Sequence, residues 1–204
     1  AVLADTEIPS ELATKIGGSY EDQKDMFGDL IMLLIMIIIL VYIVMASQFE
    51  SFMSPFVIMF SIPFAFVGVL LGLFVTGTPL GAMGMIGILI LMGIVVKNGI
   101  VLIDYTILMR ERGKSIAEAS VIAARSRLRP ILMTTLTTVL GMIPMAVGQG
   151  EGSEMWRSLG MVVAWGLSIS TLVTLVIIPT VYASMASWQE RRAARKAAKK
   201  LAKA

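Results

Sequence analysis

The sequence predicts an all-α membrane protein, a bundle of five transmembrane helices with one short interfacial helix. Three observations predict it. The 204 residues are 57% hydrophobic, with strongly positive mean hydropathy. The apolar residues come in five long blocks rather than at an amphipathic period. A helix needs about 20 mostly apolar residues to cross the hydrocarbon, and backbone groups in lipid must be satisfied within their own segment, so each block reads as a helix. The basic clusters also fall on one side of a five-span topology, as the positive-inside rule requires.

The elements follow in order. Residues 1–28 are polar and acidic, and they read as a stub with a helical lead-in over 20–29 (YEDQKDMFGD). No cleavable signal peptide is recognisable there, and an opening of this kind is expected of a piece of a longer chain. The bundle is expected over 29–184, with spans at about 30–46, 55–76, 82–109, 130–148 and 156–184. Residues 48–54 and 76–81 are short, so spans one to three run antiparallel as hairpins. Residues 115–126 (SIAEASVIAARS) have helical spacing and are expected as the separate interfacial helix. Ser115 and Glu118 fit a capping box at its start. Pro130 suits the first turn of span four, where its missing N–H costs nothing. Pro63, Pro144 and Pro179 lie inside spans, at positions where those spans can kink.

Charge sets the orientation. Residues 1–29 hold seven acids against two lysines, whereas residues 189–204 hold seven basic residues against one glutamate. Arg110, Arg112, Lys114, Arg125, Arg127 and Arg129 crowd the loop between spans three and four. That loop and the basic tail over 185–204 are expected in the cytoplasm, and the N-terminus and the loop over 149–154 outside. The tail is read as a partner of anionic lipid; no nucleic acid is expected.

Small residues at helical spacing mark close helix contacts. Gly68 and Gly72 form a GxxxG in span two. Gly84 and Gly87, with Gly81, line one side of span three, and Gly160 with Ala164 and Ser168 one side of span five.

Lys97 carries the most chemical information. It lies about 21 Å along span three, near mid-depth, where an ammonium costs roughly 2.5–3.5 kcal/mol and needs a partner. Asp104 is the other charge inside that span, on the same face but about 10 Å further on. No carboxylate in the chain falls at the depth of Lys97, so its partner is expected on a helix from elsewhere. A structural ion pair and a part in ion translocation are both open. Asp104 is free to touch headgroups, to meet Arg110 or to join a relay. Asn98 follows Lys97, and Gly93 and Gly99 would let another helix come close. Thr134, Thr137 and Thr138 share a face of span four.

Other chemistry is poorly served. With no cysteine there is no disulfide and no thiolate metal site, and with no histidine the usual titrating group near neutral pH is missing. Sixteen methionines are scattered without a tight cluster. No nucleophile–base pair or metal cluster is recognisable, so no enzyme, cofactor or metal site is expected.

The segments GIVVKNGIVLIDY, RLRPILMTTLTTVLGMIPMAVG with GEGSE, and FESFMSPFVIMFSIPFAFVG resemble the resistance-nodulation-division (RND) efflux pumps, the hydrophobe/amphiphile exporters of bacterial inner membranes in particular. The resemblance runs from about residue 17 to about residue 188. Residues 1–15 match loosely and the basic tail not at all. It implies that the chain is the last five helices of an RND six-helix half, the C-terminal transmembrane part of the second half. It further implies a homotrimer with a periplasmic adaptor and an outer-membrane channel, exchanging protons for amphiphilic drugs. Position by position, Lys97 matches the lysine that pairs with an Asp-Asp pair on the first half. Thr134 and Arg127 match a threonine and an arginine of the same relay, Asn98 follows the lysine as in the family, and Asp104 sits where an acid is common. The carboxylate pair, the porter regions and the first half are not in this chain, which on its own is not expected to pump. A truncated remnant or a scaffold subunit without transport is the alternative. A heavy-metal exporter is disfavoured here because paired methionines, histidine and cysteine are lacking.

Overall fold

A computed structural model describes residues 19–148, 150 and 152–201. Most of the N-terminal stub, residues 149 and 151 of the loop, and the last three residues with Lys203 lie outside the described residues. The order is α1 (Ser19–Phe49), α2 (Met53–Met59), α3 (Ser61–Thr76), α4 (Ala82–Glu111), α5 (Ile116–Val147) and α6 (Ser153–Leu201). Among the described residues, five helical segments are long and apolar enough to cross a membrane, with α2 and α3 together forming one of them.

Two boundaries differ from expectation, at the second span and at the interfacial helix, and at both ends of the bundle the flanking segment continues its span as one helix. The lead-in and the first span are one helix, α1, because nothing between residues 20 and 30 breaks a helix. The second span is interrupted at Phe60, three residues before Pro63. Proline has no N–H to give the carbonyl four residues back. The chain tightens there, with the Phe60 N–H donating to the Val57 carbonyl at 3.2 Å and the Ser61 hydroxyl to that of Ile58 at 2.7 Å. The interfacial helix is not separate: residues 116–126 are the first third of α5, which runs through Pro130 and Pro144. Proline is tolerated inside membrane helices; the carbonyl that Pro130 leaves without its usual N–H is that of Ser126, while the Thr134 hydroxyl one turn on donates to the Pro130 and Ile131 carbonyls at 3.2 and 2.9 Å. Finally, the last span and the start of the basic tail form one helix of 49 residues, about 73 Å long.

The turn between α4 and α5 closes by recognisable chemistry. Gly113 takes φ +82°, a left-handed conformation that glycine adopts freely. Its N–H donates to Arg110, and the Lys114 N–H reaches back to Met109 at 3.2 Å, the hydrogen bonds of a Schellman end. The capping box of Ser115 and Glu118 then starts α5.

Helix α6 is the hub, packing against α3, α4 and α5, whereas α1 stands at the edge and touches α2 and α4. Leu91, Leu102 and Ile103 of α4 and Val162, Leu167 and Ile178 of α6 are almost fully buried between them. Without a hydrophobic drive in lipid, close backbone approach does the packing. A side-chain carbon at Gly68 would sit 3.0 Å from Ile169 and 3.1 Å from the Gly166 backbone. One at Gly87 would sit 3.2 Å from Val162, and one at Gly160 2.8 Å from the Ala146 backbone nitrogen. Gly72 lies against Trp165 and Gly84 against Ser158. Gly99 abuts Ile58, but Gly81 and Gly93 face open space.

Candidate functional site

Helical period divides α4 into two faces. Leu91, Val95, Gly99 and Leu102 point into the bundle; Ile90, Gly93, Lys97, Asp104 and Leu108 are exposed on the other side. Lys97 therefore stands on a face that no other helix among the described residues covers. Beside it runs a groove of about 400 Å³ between α4 and α5, lined by Lys97, Asn98, Val101, Pro130, Thr134 and Thr138 among others. The structure thus brings Lys97, Asn98 and Thr134 together.

The hydroxyls in the groove have a consistent polarity. Thr134 donates to backbone, as above, and Thr138 donates to the Thr134 carbonyl at 2.9 Å. With their protons engaged on their own helix, these oxygens offer the groove acceptor lone pairs. That arrangement suits a cationic donor such as an ammonium. Thr137 also bonds to its own helix but is not part of the lining, whereas Thr135 is. Thr135 shares a 3.1 Å hydrogen bond with Thr171, tying the groove wall to α6.

Arg127 and Asp104 lie outside this groove. The Arg127 guanidinium sits over the Tyr105 ring, 4.7 Å from its centroid. Its Nε is buried and has no hydrogen-bond partner among the described residues. Asp104 is exposed, seven residues along α4 from Lys97. Among the described residues neither Lys97 nor Asp104 forms an ion pair; the one ion pair is Arg110 with Glu190, at 2.8 Å. Arg110, one of the partners open to Asp104 in the sequence, turns instead to α6, where it also donates to the Tyr182 hydroxyl at 3.3 Å. Sequence reasoning missed Tyr105, Tyr182 and Gly166. The first two act through contacts between distant segments, for which local spacing carries no signal. Gly166 has no glycine or alanine one turn away, only Ser170 at that spacing, yet it faces both Leu91 and Val69.

A sequence model of the AcrB/AcrD/AcrF family matches residues 1–186. The swarming motility protein SwrC of Bacillus subtilis is 45% identical over 132 residues, which are 64% of this chain and 12% of that protein. The cobalt-zinc-cadmium resistance protein CzcA of Cupriavidus metallidurans is 40% identical over 121 residues, 59% of this chain and 11% of that protein. The multidrug resistance protein MdtC of Erwinia tasmaniensis is 41% identical over 131 residues, 64% of this chain and 13% of that protein. Among solved structures, a crystal form of a heavy metal efflux pump superposes with a TM-score of 0.75 at 31% identity, covering 87% of this chain and 18% of that one. The matched region spans 11–13% of the length of these curated relatives.

Proposed function

The chain belongs to the AcrB/AcrD/AcrF family of RND efflux pumps, and from that premise we propose that it is part of a proton-driven drug exporter, supplying the Lys side of an intramembrane relay. The observation that carries this is Lys97 near mid-depth, on an uncovered face, beside a groove of threonine acceptor oxygens. Intramembrane charges are costly and are functional by default.

In this reading a helix from the other half of the transporter lays an Asp-Asp pair against the open face of α4. While the aspartates are ionised, Lys97 is drawn out to them. When they take up protons the attraction falls, and the ammonium turns back to Thr134 and its neighbours. Asn98 gives the carboxylates a neutral donor beside the lysine. Asp104 lies toward the basic end of α4, exposed and outside the groove. The driving force is sufficient, since one charge crossing the potential is worth about 2.3 kcal/mol per 100 mV. The basic end is cytoplasmic and the acidic N-terminal side periplasmic, in a bacterial inner membrane. The working assembly is a homotrimer with a periplasmic adaptor and an outer-membrane channel.

A second reading, export of metal cations, is favoured by the likeness to CzcA and to the heavy metal efflux pump. The lack of cysteine and histidine bears on this segment alone. The two readings share the Lys97 machinery and part at the substrate.

In the complete transporter, Lys97→Ala is expected to abolish export while the protein still inserts and assembles at wild-type levels. Full resistance in a strain carrying that variant would sink the relay. Protection by the wild-type protein against amphiphilic drugs, but not against zinc, cobalt or cadmium, selects the first substrate class; the reverse pattern selects the second. The alternative of a truncated remnant or a scaffold predicts a native protein of this chain's own mass, against several times that mass for a whole pump.

A further inference from the structure

We propose that Tyr105 is a positioning residue that pins Arg127 as a fixed positive charge, closing the basic end of the Lys97 groove against proton leak; this rests on the proton-coupled reading above. Helices α4 and α5 run antiparallel, and the groove sets Lys97 opposite Thr134. Seven residues along α4 lead from Lys97 to Asp104, and seven back along α5 lead from Thr134 to Arg127, each about 10 Å. The Arg127–Tyr105 contact sits at that second level. Between the two levels the groove is lined by Val101 and Pro130, which carry no side-chain polar group. The site is therefore two polar tiers separated by an apolar step.

Arg127 cannot pass a proton on, because a guanidinium stays protonated throughout the accessible pH range. What it can do is hold charge in place. An arginine at a constriction raises the barrier to protons and other cations. That function needs a fixed guanidinium, and among the described residues the guanidinium lies over the face of the Tyr105 ring, 4.7 Å from its centroid. Its Nε is buried without a partner, so no hydrogen bond from that atom fixes it instead. Asp104 shares the level but is exposed and forms no ion pair among the described residues. The ring face makes the contact, so the tyrosine hydroxyl is dispensable.

The test uses the complete transporter in liposomes with an internal pH dye and no transported substrate. Tyr105→Leu is expected to raise passive proton entry about fivefold, the effect of releasing a cation–π contact of ordinary strength. Tyr105→Phe is expected to leak as little as wild type. Arg127→Gln should leak like Tyr105→Leu, and the double variant no more than either, because the two residues act as one unit. Insertion level and trimer content, measured alongside, identify a variant that fails to fold; should that be Tyr105→Leu, Tyr105→Met, which also lacks a ring, takes its place. Wild-type leak in either Tyr105→Leu or Arg127→Gln overturns the proposal, as does a leak in Tyr105→Phe equal to that of Tyr105→Leu. Export by Lys97→Ala overturns the proton-coupled reading itself, whatever the Tyr105 variants do.

Discussion

The two sides of α4 obey opposite rules. Toward α6 the helix is packed to backbone contact, with Gly84 on Ser158, Gly87 on Val162, and Leu91 against Gly166. Toward α5 it opens into a groove and presents Lys97 and Asp104 to whatever lies outside this chain. The packed seam is self-sufficient: its groups meet partners from within the same 204 residues. The open face is not, because it holds an ammonium at mid-depth with no counter-charge among the described residues. One helix thus joins a rigid body to an unfinished site. A change on one side should therefore be felt in stability, and a change on the other in transport.

The largest effect on the fold is expected at the seam. A carbon added at Gly166 meets the Leu91 side chain and comes within 2.9 Å of Val69. Gly166→Leu should cost about 3 kcal/mol, the upper part of the usual overpacking range. The melting midpoint of the detergent-purified transporter is the readout, and an unchanged midpoint would mean that the seam yields more than its contacts suggest. A smaller effect is expected where seam and groove meet. Thr135 lines the groove and bonds to Thr171 at 3.1 Å. Thr135→Val should lower stability by about 0.6 kcal/mol, a typical interhelical hydrogen bond in lipid. Smaller still is the clasp of Arg110 and Glu190, whose side chains are 34% and 60% exposed. Glu190→Gln should cost about 0.3 kcal/mol at low ionic strength, and this difference should vanish at 1 M salt, where charges are screened beyond about 3 Å.

Much of this division was legible in the sequence, and the gaps have physical causes. The five spans were legible because lipid forbids an unsatisfied backbone. Lys97 was legible because a charge in a long apolar block stands out from its neighbours. Pro130 misled: a rule drawn from helix starts placed it in a first turn, but α5 begins at Ile116 and runs through it, giving up the backbone hydrogen bond to the Ser126 carbonyl. The glycines of GxxxG type announced themselves by spacing. Gly166 did not, since α6 is contacted on several sides and needs no single stripe of small residues. Tyr105 was invisible for a different reason. Its contact with Arg127 depends on how α4 and α5 slide past each other, a relation set by packing that no local pattern encodes.

A substitution that meets nothing within the bundle is the most telling for the open face. Gly93 is exposed, four residues from Lys97 on the same side of α4, about 6 Å along the axis. A side-chain carbon there meets nothing within 4 Å. Gly93→Leu should therefore change the stability of this bundle by less than about 0.5 kcal/mol, as surface substitutions do. Helices that pack do so with axes about 8–10 Å apart. A helix close enough to set carboxylates against Lys97 must also pass over the turn that carries Gly93, and a leucine there would push it away. Export by the complete transporter should then fall while its melting midpoint holds. If Gly93→Leu exports at the wild-type rate, no helix lies along α4 at that level, and the carboxylates that meet Lys97 must approach from the side of the groove instead.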